Sequence, residues 1–173
     1  MYPLPHRHDR FPDHRVRVDV TLAIGRHLLE DGDTIADLAC GDGTIATRLF
    51  DPDGQGRLIL GDLAPGWLIQ GPIEQTIEQL EPGSVGLFVC CETLEHLDDP
   101  DAVLAAIRKR TGRLLLSTPD GEADTRNPEH LWGWDHTDVR QMLERAGFIP
   151  HTCTLLGLRL AGWQYDYQIW TAL

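Results

Sequence analysis

Lysine is almost missing from this chain: Lys109 is the sole one, and arginine carries the remaining fixed positive charge. Acidic residues outnumber basic ones 27 to 15, for a formal net charge of −12. Proteins that track a phosphate backbone usually present a basic face, so this balance argues against a nucleic-acid partner. The first 17 residues are a local exception, with Arg7, Arg10, Arg15 and Arg17 among three histidines. Cysteine is sparse, at Cys40, Cys90, Cys91 and Cys153. An adjacent pair makes a poor disulfide framework, so a reducing, cytoplasmic setting is expected. No apolar run approaches the roughly 20 residues that cross a bilayer. The Pro-, His- and Arg-rich N-terminus lacks the apolar segment of a secretory signal.

What is present is an alternation of apolar runs and helical stripes within a length of 173 residues, which suits one domain. Residues 1–12 read as an irregular arm and residues 13–173 as a single domain. A helix is expected from Asp13, as its N-cap, to about Glu30. Strands are expected at Thr34–Ala39, Arg57–Asp62 and Val85–Cys91, and helices at Gly43–Phe50, Ile73–Leu80 and Asp101–Lys109. Arg113–Ser117 reads as a fifth strand, followed by a loop from Thr118 to about Asp135. A helix at Thr137–Ala146 then precedes a terminal hairpin, His151–Leu160 and Trp163–Leu173, joined at Ala161-Gly162. This order implies an α/β sheet with right-handed crossovers. One connection is anomalous. Only Ala64-Pro-Gly66 separates the second strand from the run Trp67–Gln70, whereas parallel neighbours need a dozen or more residues. The second crossover helix is therefore expected to be deleted or very short, and the third strand rudimentary.

The chemistry concentrates in Asp37-Leu-Ala-Cys-Gly-Asp-Gly43, where a strand ends in a glycine turn that opens a helix. It is not the G-x-G-x-x-G of dinucleotide sites, because Ala46 stands where the third glycine would fall. Asp37 and Asp42 would repel a pyrophosphate but suit the amino and sulfonium groups of S-adenosylmethionine. A carboxylate about 20 residues on clasps ribose hydroxyls in doubly wound nucleoside sites, and Asp62 ends the second strand at that distance. The alternative is a tight turn at Gly41 and Gly43 with Asp62 capping a loop.

At these residues the chain resembles the class I S-adenosylmethionine-dependent methyltransferases, in particular the small-molecule type with a Leu-Glu-His motif. Asp37–Gly43 resembles the first motif of that family, with Ala39 in place of a usual glycine. Gly61–Pro65 resembles its second motif, and Cys91-Glu-Thr-Leu-Glu-His-Leu97 the segment after strand four, beside the methionine moiety. Ser117-Thr-Pro-Asp120 resembles the end of strand five. The resemblance implies a Rossmann-like sheet of order 3-2-1-4-5-7-6 with strand seven antiparallel. It also implies a cofactor site drawn from Asp37, Ala39, Cys40, Gly41, Gly43, Asp62 and Cys91. Gly71-Pro-Ile-Glu74 stands where the family commonly has Gly-Asp. Adenine contact accordingly falls to Leu63 and Ile73, or to Glu74. Gly86 occupies the usual strand-four aspartate position. No Asp/Asn-Pro-Pro-Tyr sequence of the base-methylating relatives appears.

For the acceptor, His96 is the first general-base candidate, since neutral imidazole accepts a proton near pH 7. A bracing role for Glu95-His96 is the competing reading. In the loop, His130 and His136 are candidates to orient or deprotonate an acceptor, Trp132 to wall its pocket, and Trp134 to plug the core. His6-Arg-His8 and His14 are too thin a pattern for a metal, and none is expected. The expectation is methyl transfer from S-adenosylmethionine, leaving S-adenosylhomocysteine, to O or N of a small or medium-sized molecule or a peptide. The rival readings are a non-catalytic cofactor-binding module that works through a partner, and a nucleic-acid methylase using the arm. An NAD-dependent oxidoreductase lacks its third glycine.

Overall fold

The computed structural model describes residues 4–8, 10–121 and 127–173. The expectations for the rest of the arm and for the middle of the aromatic loop lie outside them. Seven strands form one sheet: β1 (Ile35–Asp37), β2 (Leu58–Asp62), β3 (Ile69–Gln70), β4 (Leu87–Cys91), β5 (Leu114–Asp120), β6 (Pro150–Leu156) and β7 (Asp166–Ala172). Their order is β3-β2-β1-β4-β5-β7-β6. β7 runs antiparallel to β5 and β6, and β1 to β5 are mutually parallel. This is the Rossmann-like sheet of the class I methyltransferases, as the resemblance implied.

The central strands read as continuous apolar runs because both faces are covered. Leu87, Val89 and Cys91 of β4 join one core with Leu115, Ile169 and the residues Val18, Leu22, Ile45 and Leu49. The last four come from α1 (Pro12–Gly25) and α2 (Thr44–Leu49). Phe88 and Cys90 point the other way, into a core with Leu114, Leu116 and Trp170. That face is closed by α3 (Ile73–Thr76), α4 (Pro100–Arg110) and α5 (His136–Arg145). Two helix starts are fixed by aspartate caps: Asp99 accepts from the Ala102 amide, and Asp135 forms a capping box with Asp138.

Several boundaries differ from the expectations. The cap of α1 is Phe11 with Pro12 in the first turn, which places Asp13 inside the helix and buries it. β5 continues through Pro119 to Asp120, because β7 still pairs with it there after β4 has ended opposite Ser117. A proline is tolerated where one side of a strand has no neighbour. The terminal strands are not joined by a tight turn at Ala161-Gly162. β6 stops at Leu156, and the link to Asp166 is held by Arg159, whose amide and Nε both donate to the Asp166 carboxylate at 2.7 Å.

The missing crossover helix is a real deletion. β3 has only two residues and pairs parallel to β2 through Gly61 and Asp62. So short a strand needs only the small excursion made at Ala64–Trp67. Gly86 has an equally local cause. A Cβ there would collide with the Asp33 carboxylate, which is committed to Arg113 at 2.6 Å.

Candidate functional site

Where β1 ends, the chain turns sharply, and Gly41 and Gly43 take φ of 57° and 76°. Both lie in the left-handed region that only glycine enters freely. A side chain would also find no room. A Cβ on Gly41 would come within 2.8 Å of the His6 carbonyl, and one on Gly43 within 3.0 Å of Trp67. Trp67 donates its indole N–H to the Gly41 carbonyl at 3.1 Å. With the second crossover helix gone, this indole braces the outer side of the bend. Nothing in the spacing of the sequence marked Trp67 for that duty.

Above the bend lies a cavity of about 510 Å³, at the carboxyl ends of the parallel strands. Leu38, Ala39, Gly41, Asp62, Leu63 and Ile73 line one end. Asp62 is fully engaged from behind: one carboxylate oxygen accepts from the Gly41 amide and the other from the Ala64 amide, both at 2.7 Å. Each oxygen keeps a lone pair for a further donor. Glu74 and Pro72 lie on the same wall. The other end holds Cys91, Glu92, Glu95, His96, Glu129 and His130, with Tyr165 and Tyr167 from the terminal hairpin. Burial pushes the Cys91 thiol up to about 12, so it stays a neutral thiol at physiological pH.

The arm roofs the cavity over the bend. The His8 amide donates to Asp42 at 3.2 Å, and its ring Nε2 donates to the Cys40 carbonyl at 3.3 Å. That fixes Nδ1 as the acceptor for Arg17, also at 3.3 Å. Burial, followed by the Arg17 charge, lowers His8 to about 4, so the ring is neutral over the physiological range. Arg17 itself is 1% exposed. It donates to Ser117 Oγ, pairs with Glu92 at 3.8 Å and stacks on the Tyr167 ring. A residue counted by sequence with the basic first 17 is therefore committed to the interior, and that stretch has one cation fewer to offer phosphates.

Glu92 carries a second signal that sequence reasoning missed. It has φ of 52°, alone among the described non-glycine residues in being left-handed, and it borders the cavity. Such strain persists where the surroundings over-determine it. Here Arg17 and Ser117, which donates to Glu92 at 2.8 Å, hold it in place.

Of the residues expected at a cofactor site, Ala39, Gly41, Asp62, Leu63, Ile73 and Cys91 border this cavity, as do His96 and His130. The others do not. Asp37 is buried behind the bend and accepts from the Ala39 amide at 3.2 Å. Cys40 turns its thiol inward, and Gly43 faces Trp67. Trp132 does not wall the cavity. Its indole donates to the Leu97 carbonyl at 2.7 Å, which turns the ring outward to stack on Trp134 in a separate surface groove. Trp134 is the member that packs on the core. His136 is likewise excluded, because the capping box at Asp135 makes it the first residue of α5, facing solvent.

Burial, and then the nearby Asp62 charge, raises the Asp37 carboxyl to about 7. The native state thus holds a proton that the unfolded chain releases near pH 4, and this residue's contribution to stability declines as pH rises from about 4 to 7. Asp37→Asn is expected to be the more stable protein at pH 8, by a few kcal/mol. It should also lose that part of the pH dependence in urea unfolding followed across the same window. An unchanged slope would show that Asp37 is ionised in the native protein.

No family model matches the chain. A ubiquinone biosynthesis O-methyltransferase of Xanthomonas euvesicatoria is 30% identical over 105 residues, a match spanning 50% of this chain and 43% of that protein. The alignment therefore covers less than half the length of that relative. Among solved structures, the 1,6-didemethyltoxoflavin-N1-methyltransferase of Burkholderia thailandensis, with bound 1,6-didemethyltoxoflavin and S-adenosylhomocysteine, superposes with a TM-score of 0.70 at 18% identity. That superposition covers 90% of this chain and 76% of the other. An S-adenosylmethionine-dependent methyltransferase of Archaeoglobus fulgidus gives a TM-score of 0.71 at 12% identity, covering 92% and 94%.

Proposed function

We propose that this chain, which has the class I methyltransferase fold, is an S-adenosylmethionine-dependent methyltransferase. Its acceptor is a small or medium-sized molecule, methylated on oxygen or nitrogen. The observation that carries the reading is one cavity that joins the Gly41 bend and the Asp62 carboxylate to the imidazoles of His96 and His130. The residues fit the cofactor. Asp62 has lone pairs to spare for two ribose hydroxyls, and Leu38, Leu63 and Ile73 offer an apolar seat for a purine beside the Gly41 bend. When bound, the sulfonium supplies an electrophilic methyl group, and the protein's task is alignment and exclusion of water.

At the acceptor end, the His96 Nδ1–H donates to the Glu129 carbonyl at 2.9 Å, which leaves Nε2 with its lone pair. Burial lowers the His96 pKa, so this lone pair is available at neutral pH. It can take the proton of an acceptor hydroxyl or amine. His130 stands edge-on, with ring centroids 4.8 Å apart, and orients what binds there. Tyr165 and Tyr167, set edge-to-face with their ring planes 62° apart, border the cavity and offer aromatic contact to an unsaturated acceptor.

Calorimetry with S-adenosylmethionine, S-adenosylhomocysteine and NAD tests the cofactor, with binding expected for the first two alone. Radiolabelled methyl transfer into fractionated extract then identifies the acceptor class. Tight cofactor binding with no transfer to any fraction would favour a non-catalytic module. In His96→Ala we expect near-normal cofactor affinity with turnover slowed about tenfold or more. Full activity in that variant would leave His96 as a brace for the loop.

A further inference from the structure

We propose that Glu95, His96 and His130 form a binding site for one divalent transition-metal ion at the acceptor end of the cavity. One ligand atom from each lies within 4.8 Å of the others. Metal bonds of about 2.0–2.2 Å place neighbouring ligands roughly 3–3.5 Å apart, so a modest inward movement of two half-buried imidazoles completes the set. A carboxylate and two imidazoles suit Mn²⁺, Fe²⁺, Co²⁺ or Zn²⁺ and leave coordination positions open.

The independent observation is the state of Glu95. It is 1% exposed, yet it borders the cavity. Its Oε2 accepts from the Thr118 hydroxyl at 3.0 Å, while Oε1 is buried with no hydrogen-bond partner. A buried carboxylate oxygen left unmatched is unfavourable unless a proton or a cation meets it. The surroundings hold the ligands as a metal site requires. The Glu129 carbonyl receives the His96 Nδ1–H and turns Nε2 away, which is the arrangement that fixes a ligating tautomer. The Leu131 amide donates to the Glu95 carbonyl at 2.7 Å and so pins the His130 segment against the turn after β4. His8 does not compete, because both of its ring nitrogens are already engaged by Cys40 and Arg17.

On the reading above, the ion would bind an acceptor oxygen directly and lower its pKa, so that the hydroxyl proton leaves to solvent and the oxygen is presented as an anion. His96 would then act through the ion rather than as the base. The test is a Co²⁺ titration of chelator-stripped protein, followed by visible ligand-field absorption, with S-adenosylhomocysteine calorimetry on the same samples. One equivalent is expected, weakened at least tenfold in Glu95→Gln and in His130→Ala and unchanged in His14→Ala. His130→Ala alters a half-buried loop residue, so its loss of cobalt would not be a loss of fold. Absence of cobalt binding, or equal binding in both site variants, would overturn the proposal. Retained S-adenosylhomocysteine binding in that case would leave the methyltransferase reading intact. Cobalt binding without S-adenosylhomocysteine binding would do the reverse.

Discussion

Asp62→Ala is expected to weaken S-adenosylhomocysteine binding by about 100-fold or more in calorimetry. Two hydroxyl donors on one carboxylate are charge-assisted bonds, each contributing about 1.5–3 kcal/mol. The same carboxylate also anchors the amides of Gly41 and Ala64 at 2.7 Å, so its removal loosens the bend as well as the sugar contact. Asp62→Asn separates the two effects. It keeps an acceptor for a backbone amide, loses the charge, and should fall between wild type and alanine. Wild-type affinity in Asp62→Ala would show that the nucleoside is held elsewhere.

Arg17→Ala should lower unfolding free energy by about 3–5 kcal/mol, the range found when one partner of a buried ion pair is deleted. Arg17 touches four groups: Glu92 and Ser117, which also bond each other, the Tyr167 ring and the His8 Nδ1. Its loss leaves the Glu92 carboxylate short of its cation and opens a void under the arm. Urea unfolding checks the magnitude. Arg17→Lys should recover only part of it, because an ammonium cannot span the same partners as a planar guanidinium. A change below about 1 kcal/mol in Arg17→Ala would mean that the arm does not pack on the body in solution.

These two residues illustrate what could be read from the chain. Asp62 was legible because a carboxylate at a strand end, a fixed distance beyond a glycine turn, is a local pattern with a chemical reason. The sheet order came with the family resemblance that those motifs carry; the residues by themselves implied only an α/β sheet with right-handed crossovers. Arg17 was counted only among the basic residues of the first 17, with nothing to mark it as buried. Its partners, Glu92 and Ser117, are contributed by segments distant in sequence, and no spacing announces them. Trp67 was placed in a strand, although its indole is what supports the bend where a helix is missing. Trp132 and His136 looked like pocket residues because the loop is dense in functional side chains. A carbonyl at Leu97 and a cap at Asp135 turned them away.

The sequence alone determined the alternation of strands and helices, the bend at Asp37–Gly43, the ribose-binding candidate Asp62 and the shortened second crossover. All of these depend on interactions between residues near one another in the chain, or on periodicities that burial imposes on a strand or helix. The tertiary structure alone decided which titratable side chains share a cavity: Glu92, Glu95 and His96 from the turn after β4, His130 from the loop, and the arm histidines over the bend. Their protonation and the engagement of Arg17 follow from burial and from charges brought close by folding. Electrostatics in a low-dielectric interior depends on distance in space, and distance along the chain does not encode it.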